Sequence, residues 1–159
     1  MDYRIGFGVD FHALKKGREF FLGGIRIPHH QGSEGHSDAD VLLHAICDAL
    51  LGAASLGDIG EHFPDTDPAF LGIDSKILLS RTLNLIRNAG WRPVNIDSTV
   101  CLQLPLLKPH IPSMRAAISS CTGLQETEIS IKATTTEKLG FIGREEGVAA
   151  YATVLLCRD

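Results

Sequence analysis

The last apolar segment of the sequence constrains the fold most, because it is apolar on both of the faces that a strand would have. It reads "GVAAYATVLLC" over residues 147–157. Successive side chains of a strand point to opposite faces of its sheet, which gives the two sets Val148, Ala150, Val154, Leu156 and Ala149, Tyr151, Leu155. Such a strand has to be covered on both faces, so we expect helices on one face and another subunit on the other.

The rest of the hydrophobic pattern predicts an α/β (α+β) architecture. Period-2 alternation indicates strands and period-3.6 stripes indicate helices. The predicted strands cover residues 4–12, 20–28 (strand, turn, strand), 94–104, 128–134 and 147–157, and the predicted helices cover 37–55, 74–90 and 108–123. Ser37 and Asp74 are expected to cap the first two helices. We therefore expect a single domain over residues 1–159, with a mixed β-sheet and helices packed on one face.

Charge and cysteine content argue against several classes of protein. The net charge is −4 and the pI is about 5.9, which disfavours nucleic acid or an anionic membrane as a partner. The four cysteines show no CxxC spacing, so we expect reduced thiols. No apolar run approaches the roughly 20 residues of a membrane span. The sequence starts directly in a strand pattern, so we expect no signal or transit peptide and a cytoplasmic protein of bacterial type.

Two distant segments carry candidate metal ligands. Asp10 and His12 lie two residues apart in the first predicted strand and so project from one face. Gly6 and Gly8 share that face and are expected to keep it open. With His44 of the first predicted helix, two nitrogens and a carboxylate would form a zinc site with one open position, which is typical of catalytic sites. Spacing alone leaves a second interpretation open, in which these are unrelated solvated residues.

Three aspartates surround His44 in the sequence. Asp40 and Asp48 lie one turn before and after it, opposite the apolar stripe of the helix. We consider both as candidates for orienting a ligand imidazole. Asp38 is interpreted as an acidic residue of the first helical turn, where the helix dipole favours a negative charge.

The segment "KATTTEKLG", residues 132–140, ends a predicted strand with three threonines and a glutamate. Hydroxyls, free backbone N–H groups and a carboxylate suit a diphosphate with its Mg²⁺ ion. The alternative is an ordinary threonine-rich strand with an exposed Glu137. Arg144 also has two interpretations, as a phosphate ligand or as an ion-pair partner of Glu146.

Two loops have both a functional and an ordinary interpretation. "FPDTDP", residues 63–68, is either a turn or a mobile flap that binds the hydroxyls of a polyol. "QLPLLKP", residues 103–109, is either a proline-directed loop or a segment whose backbone reads a base edge.

Taken together, these motifs resemble one family, the 2-C-methyl-D-erythritol 2,4-cyclodiphosphate synthases of the non-mevalonate isoprenoid pathway. The resemblance rests on "GVDFH", "HSDADVLLHAICDALLGAASLGDIGEHFPDTDP", "PHIPSMR" and "IKATTTEKLGFIGREEG" and covers essentially the whole chain. It implies a homotrimer whose sheets face inward and whose active sites lie between adjacent subunits.

The resemblance also implies a role for each matched residue. The expected ligands of Zn²⁺ are Asp10, His12 and His44, and Glu137 is expected to carry a second divalent ion, Mg²⁺ or Mn²⁺. The expected catalytic residues that hold the diphosphate are His36 and Thr135. The expected substrate-binding residues are Ser37, Asp58, Ile59, Gly60, Phe63, Pro64, Asp65, Thr66 and Asp67. The expected cytidine-binding residues are Leu102, Gln103, Leu104, Pro105, Leu106, Leu107, Lys108, Ala133, Thr134 and Thr136. Phe141 and Arg144 are expected at a central cavity that takes an isoprenoid diphosphate in some relatives.

The implied reaction is the conversion of 4-diphosphocytidyl-2-C-methyl-D-erythritol 2-phosphate to the cyclic diphosphate, with release of CMP. One departure concerns the cytidine loop, where the family commonly has a lysine directly after the proline. Here that position is Leu106, and Lys108 follows two residues later. Two alternatives are a zinc-dependent phosphohydrolase, which would release linear products, and a non-catalytic metal- or isoprenoid-binding trimer.

Overall fold

The computed structural model describes residues 1–159 as one α+β domain. The seven strands are β1 (Asp2–Lys16), β2 (Phe20–Leu22), β3 (Ile25–Ile27), β4 (Gln31–Ser33), β5 (Arg92–Cys101), β6 (Ile129–Thr134) and β7 (Gly147–Arg158). The five α-helices are α1 (Val41–Ala53), α2 (Ile59–His62), α3 (Ser75–Asn88), α4 (Ile111–Thr122) and α5 (Gly140–Gly143). No helix combines the length and the apolarity needed to cross a bilayer.

The main sheet has five strands in the order β4-β1-β7-β5-β6. β7 is antiparallel to both β1 and β5, whereas β5 and β6 are parallel. The predicted mixed sheet is therefore confirmed, with the doubly apolar strand at its centre. Strands β2 and β3 form the separate hairpin that the sequence predicted, and β4 was not predicted.

The helices cover one face of this sheet, as predicted. α1 packs on β1 and β7, α4 packs on β6, and α3 contacts both helices. The apolar stripe of α1, with Leu42, Ile46 and Leu50, is completely buried. The inward side chains of β7 that meet this layer are Val148, Ala150, Val154 and Leu156, and all are buried.

Two glycines of β1 set the distance between α1 and the sheet. A Cβ at Gly6 would lie 1.8 Å from the carbonyl oxygen of Ala49, and one at Gly8 would lie 2.0 Å from that of Ala45. The expectation that these glycines keep an open face for a metal is wrong. They are required because the backbone of α1 lies directly against β1, where any side chain would clash.

The first helix also begins later than predicted. Asp40, not Ser37, is the N-cap, and its carboxylate accepts hydrogen bonds from the N–H groups of Leu43, Gly23 and Gly24. Ala39 has a φ of 57°, which is outside the helical region. The predicted cap of the second helix is confirmed, because the Asp74 side chain accepts a hydrogen bond from the N–H of Lys76.

The opposite face of the sheet has no covering layer within the chain. Its side chains on β1 are apolar and largely exposed, with Ile5 75%, Phe7 62% and Phe11 51% accessible. Tyr151 of β7 contacts this row, with its ring centroid 6.4 Å from that of Phe7 and 6.3 Å from that of Phe11. An exposed apolar and aromatic surface of this kind is typical of an interface.

Candidate active site

Strand β1 and helix α1 bring the three predicted metal ligands together. The Oδ2 atom of Asp10 lies 2.9 Å from Nε2 of His12 and 3.1 Å from Nδ1 of His44, and the two nitrogens are 3.2 Å apart. Donor atoms of a tetrahedral zinc ion at its usual bond lengths lie about 3.3 Å from one another. The three side chains therefore fit a divalent metal ion with small adjustments, and the close approach of α1 at Gly8 makes the cluster possible.

The second ring nitrogen of each histidine, which points away from the cluster, also has hydrogen-bond partners. Nδ1 of His12 lies 2.9 Å from the carbonyl oxygen of Glu34. A carbonyl only accepts hydrogen bonds, so Nδ1 carries the proton and a neutral His12 presents the lone pair of Nε2 to the centre. Nε2 of His44 lies 3.1 Å from Oγ of Ser37 and 3.0 Å from Oγ of Ser75.

Electrostatics keeps the carboxylate of this cluster ionised. Burial alone raises the pKa of Asp10 and lowers that of His12. Hydrogen bonds and charge attraction to His12 and His44 outweigh burial for Asp10 and bring its pKa to about 2. The same contact with Asp10 raises the pKa of His12 above its ordinary value. A metal ion that binds here therefore competes with a proton for Nε2 of His12 but not for the carboxylate of Asp10.

The aspartates around His44 do not act as the sequence suggested. Asp40 is fully buried and caps α1, and Asp48 accepts a hydrogen bond from the N–H of Ile59 at 2.7 Å. Neither contacts an imidazole, so their predicted role in orienting His44 is wrong. Asp38, which was interpreted as a first-turn acid, instead binds Ser75, which in turn contacts His44.

A cleft of about 390 Å³ opens beside the ligand cluster. Its lining contains most of the predicted catalytic and substrate-binding residues. The full lining is His12, Gly35, His36, Ser37, His44, Ile59, Gly60, Phe63, Pro64, Asp65, Phe70 and Leu78. Gly35, Phe70 and Leu78 were not predicted as site residues. Phe70 packs edge-on against Phe63, with ring centroids 5.6 Å apart. Both residues lie in the segment between α1 and α3, where no periodic hydrophobic pattern predicts this contact.

Three predicted substrate-binding residues lie outside this lining. Asp58 caps α2 through the N–H of Glu61, and Asp67 caps a 3₁₀ turn through the N–H of Ala69. The carbonyl oxygen of Asp67 is also 3.0 Å from Nε2 of His36, so the flap is tied to the histidine that is expected to hold phosphate. Thr66 is exposed.

A second cleft, of about 310 Å³, lies between the end of β5 and the end of β6. Most of the predicted cytidine-binding residues line it, together with Pro109, the last residue of the predicted loop 103–109. The full lining is Leu102, Pro105, Leu106, Leu107, Lys108, Pro109, Ala133, Thr134 and Thr135. Gln103, Leu104 and Thr136 lie outside it. The amide oxygen of Gln103 accepts a hydrogen bond from the N–H of Lys138.

A third hollow continues from Thr135 to Ile142. It is lined by Thr135, Thr136, Glu137, Leu139, Gly140, Phe141 and Ile142. Glu137 has a φ of 53°, and its N–H donates to Oγ1 of Thr135. Arg144 forms a bidentate pair with Glu146 at 2.9 and 3.1 Å, which is the second of its two predicted interpretations.

The metal cluster and the second cleft share no lining residue. His36 lies with the metal ligands, whereas Thr135 lies in the second cleft and the third hollow. A single chain therefore presents the predicted site as two separate halves.

Comparison with known proteins gives consistent results. The sequence model of the YgbB family matches residues 3–157. The chain is 62% identical over 156 residues to 2-C-methyl-D-erythritol 2,4-cyclodiphosphate synthase of Syntrophobacter fumaroxidans, with 98% of each sequence covered. It is 59% identical over 159 residues to the protein of that name from Bacteroides thetaiotaomicron, with both sequences covered completely.

Solved structures with a similar fold carry related names. The bifunctional IspDF of Campylobacter jejuni superposes with a TM-score of 0.95 and 44% identity, and the match covers 99% of this chain but 43% of that one. A 2C-methyl-D-erythritol-2,4-cyclodiphosphate synthase in a CDP-bound form superposes with a TM-score of 0.90 and 38% identity, with 97% and 100% of the two chains covered.

Proposed function

Because the chain belongs to the YgbB family, we propose that it is a 2-C-methyl-D-erythritol 2,4-cyclodiphosphate synthase of isoprenoid precursor biosynthesis, with residues 1–159 forming one synthase domain. It converts 4-diphosphocytidyl-2-C-methyl-D-erythritol 2-phosphate to the cyclic diphosphate and releases CMP. The observation that carries this assignment is the cluster of Asp10, His12 and His44 at the wall of a cleft, in a chain of that family.

The chemistry requires little proton transfer from the protein. An oxygen of the substrate's own 2-phosphate attacks the β-phosphorus, the bond to the bridging oxygen breaks, and CMP leaves with the electron pair. The nucleophile is already an anion, so no general base is needed. The protein has to hold two repelling phosphates in line and neutralise their charge, and an oriented intramolecular reaction gains about 7–11 kcal/mol from positioning.

Residues beside the metal cluster supply the positioning. His36 donates its Nε2 proton to the carbonyl of Asp67, and we propose that a phosphate oxygen takes the place of this carbonyl when substrate binds. Ser37 lines the same cleft and offers a hydroxyl. Phe63, Pro64 and Asp65 line this cleft and would contact the methylerythritol part together with the neighbouring Thr66 and Asp67. Asp58 and Gly60 would contact the ribose, with Ile59 between them.

We propose that Asp10, His12 and His44 hold Zn²⁺ and that Glu137 holds Mg²⁺ or Mn²⁺. Two nitrogens and one carboxylate favour zinc, whereas a lone carboxylate beside threonine hydroxyls favours a hard cation with oxygen ligands. When bound, these ions withdraw negative charge from the reacting phosphates. The net charge of −4 is then compatible with an anionic substrate.

The second cleft is the proposed cytidine site. Its support is the CDP-bound relative and the match of residues 102–108, 133, 134 and 136 to the family pattern. Lys108 and Leu106 both line this cleft, but the apolar side chain of Leu106 cannot bind a phosphate. We propose that Lys108 provides the phosphate contact that Leu106 cannot make.

We propose that the protein is a homotrimer in which the metal cleft of one subunit faces the cytidine cleft of the next. The separation of the two clefts and the exposed apolar face of β1 support this arrangement. The ring centroid of Phe141 lies 6.3 Å from that of Phe11 on the exposed face. In such a trimer, a central cavity that accepts an isoprenoid diphosphate would be lined by Phe141 and Arg144. The four free cysteines support the proposal of a cytoplasmic protein.

The direct test is to supply the purified protein with the cytidyl substrate and Mg²⁺. We expect CMP and the cyclic diphosphate in equal amounts, measured by chromatography and phosphorus NMR. CMP accompanied by linear phosphates would indicate the phosphohydrolase instead, and no turnover would indicate a non-catalytic trimer. Asp10→Asn and His44→Ala should abolish CMP release while the protein sediments like the wild type, and full activity in either would contradict the metal assignment.

A further inference from the structure

His44 is connected to the protein interior by two polar residues on the side away from the metal cluster. Its Nε2 atom lies 3.0 Å from Oγ of Ser75, the first residue of α3. The hydroxyl of Ser75 donates to Oδ1 of Asp38, and the backbone N–H of Ser75 donates to Oδ2 of Asp38 at 3.0 Å. Ser75 is fully buried, so these contacts are not replaced by water.

The donors and acceptors of this chain of contacts fix the position of one proton. An ionised carboxylate only accepts hydrogen bonds, so Asp38 takes the single hydroxyl proton of Ser75. Oγ of Ser75 is then left with lone pairs toward His44. The Nε2 atom of His44 must therefore donate, and in the neutral ring Nδ1 keeps its lone pair, directed at Asp10 and His12.

We propose that Asp38 and Ser75 are positioning residues that hold His44 in the tautomer and ring orientation required to bind a metal ion through Nδ1. This inference rests on the proposed metal site and extends it. Partners of this kind fix ring orientation and raise the basicity of ligand imidazoles. The ring of His12 is held by a hydrogen bond to the carbonyl oxygen of Glu34. The ring of His44 is held instead by the hydroxyl of Ser75, which is itself oriented by the carboxylate of Asp38.

Ser37 does not supply the same control. Its Oγ lies 3.1 Å from Nε2 of His44 and accepts a hydrogen bond from the N–H of Ala39. No carboxylate takes the proton of its hydroxyl, so this proton can turn toward or away from the imidazole. Ser37 therefore tolerates either tautomer, whereas the Asp38–Ser75 pair tolerates only one.

Asp38→Asn tests the direction of the proton. An asparagine has nearly the same shape, but its amide can donate to Oγ of Ser75. The hydroxyl proton of Ser75 then turns to Nε2 of His44, which moves the ring proton to Nδ1, where the metal would bind. Ser75→Ala removes the link entirely, and Ser75→Thr keeps the hydroxyl.

The experiment measures Co²⁺ binding to the metal-stripped protein. Affinity is obtained by competition with a chelating dye, and the visible absorption of bound Co²⁺ reports the coordination geometry. We expect Ser75→Ala and Asp38→Asn to lower the affinity about 10- to 100-fold and to alter the spectrum, since loss of such partners typically has this effect. Ser75→Thr should remain within about threefold of the wild type.

Two matched controls separate this effect from damage to α3. Ser80→Ala removes another hydroxyl of α3, which donates to the carbonyl of Lys76, and Asp74→Asn changes the aspartate that caps the helix. Both should bind Co²⁺ like the wild type. If Ser75→Ala unfolds, Asp38→Asn and Ser75→Thr still decide the question.

The possible results are distinguishable. Wild-type affinity and spectrum in folded Ser75→Ala and Asp38→Asn, with binding lost in Asp10→Asn, would overturn the positioning role alone. Equal loss in Ser75→Thr and Ser75→Ala would also overturn it, because the hydroxyl would then be irrelevant. Co²⁺ binding that survives Asp10→Asn would overturn the metal site itself and this inference with it.

Discussion

At the scale of single residues, the two histidines of the metal cluster show what sequence spacing can and cannot provide. The pattern predicted that Asp10, His12 and His44 could act together, and their donor atoms do meet. Which nitrogen each ring presents was not predictable, because Glu34 and Ser75 are 22 and 31 residues away from the rings that they contact. The role of Asp38 was missed for the same reason.

Asp40 offers a stability prediction at this scale. Its buried carboxylate accepts hydrogen bonds from three backbone N–H groups, those of Leu43, Gly23 and Gly24. We expect Asp40→Ala to lower the free energy of unfolding by about 3 kcal/mol, because a cap is lost and buried donors are left unsatisfied. Urea denaturation followed by circular dichroism measures the change.

Asp74→Ala is the matched control for this prediction. Asp74 is exposed and caps α3 through one N–H, so its loss should cost only about 1 kcal/mol. Equal losses in the two variants would show that the contacts of Asp40 with the β2–β3 hairpin contribute nothing.

Lys108 carries the prediction for the cytidine cleft. If it makes the phosphate contact proposed above, Lys108→Ala should weaken CDP binding about tenfold, since a hydrogen bond to a charged group contributes about 1.5–3 kcal/mol. Isothermal titration calorimetry with CDP measures this. Lys16→Ala, at an exposed position at the end of β1, serves as the charge-matched control. Equal CDP affinities of Lys108→Ala and the wild type would show that Lys108 does not replace the lysine that the family commonly has at the position of Leu106.

For the two clefts, lining residues that belong to one sequence motif were predictable, whereas residues brought in from other segments were not. Residues that line them within one motif, such as Phe63 to Asp65 or Pro105 to Lys108, were predicted from the family resemblance of that motif. Phe70 and Leu78 were missed because they reach the first cleft through tertiary packing. No periodicity in their own segments indicates a ligand.

At the scale of elements, the contact between β1 and α1 positions the metal site. The alternation of β1 was correctly predicted, but the function of its glycines was not, because that function depends on a helix that starts 33 residues after Gly8. Hydrophobic patterns predict that two elements pack together. They do not predict how closely.

Gly8→Ala tests this contact. The new Cβ would meet the backbone of α1 at Ala45, next to His44, so the helix has to move outward. We expect a loss of about 1–3 kcal/mol in unfolding free energy, together with weaker Co²⁺ binding, because His44 moves away from Asp10 and His12. Both quantities are measured on one preparation.

Gly52→Ala is the control on the same helix. A Cβ at Gly52 meets no atom within 4 Å, so alanine should stabilise α1 by about 0.5–1 kcal/mol and leave Co²⁺ binding unchanged. Intact metal binding in Gly8→Ala would mean that the distance between helix and strand does not determine the site.

At the scale of the whole molecule, the uncovered apolar face of the sheet predicts association with other subunits. Phe7 is 62% exposed in the single chain and packs beside Tyr151. We expect Phe7→Glu to dissociate the proposed trimer, because a charge buried in an apolar interface is costly. Sedimentation velocity measures the mass, and enzymatic activity should fall with it.

Ile77→Glu is the control for Phe7→Glu. Ile77 is 45% exposed on α3, on the opposite side of the sheet, and the same charge there should leave the assembly intact. A monomer in both variants would indicate a general loss of folding rather than a specific interface.

The two halves of the predicted site, which lie in separate clefts, have a consequence for mixtures of defective chains. Glu137 lines the hollow that shares Thr135 with the cytidine cleft. If each site joins the metal cleft of one subunit to the cytidine cleft and this hollow of the next, Asp10→Asn and Glu137→Gln damage different halves. Random mixed trimers from equal amounts of the two inactive variants should then contain intact sites at about one position in four. Co-refolding the two chains and measuring CMP release would detect this complementation, whereas a site built within one chain would stay inactive in every mixture.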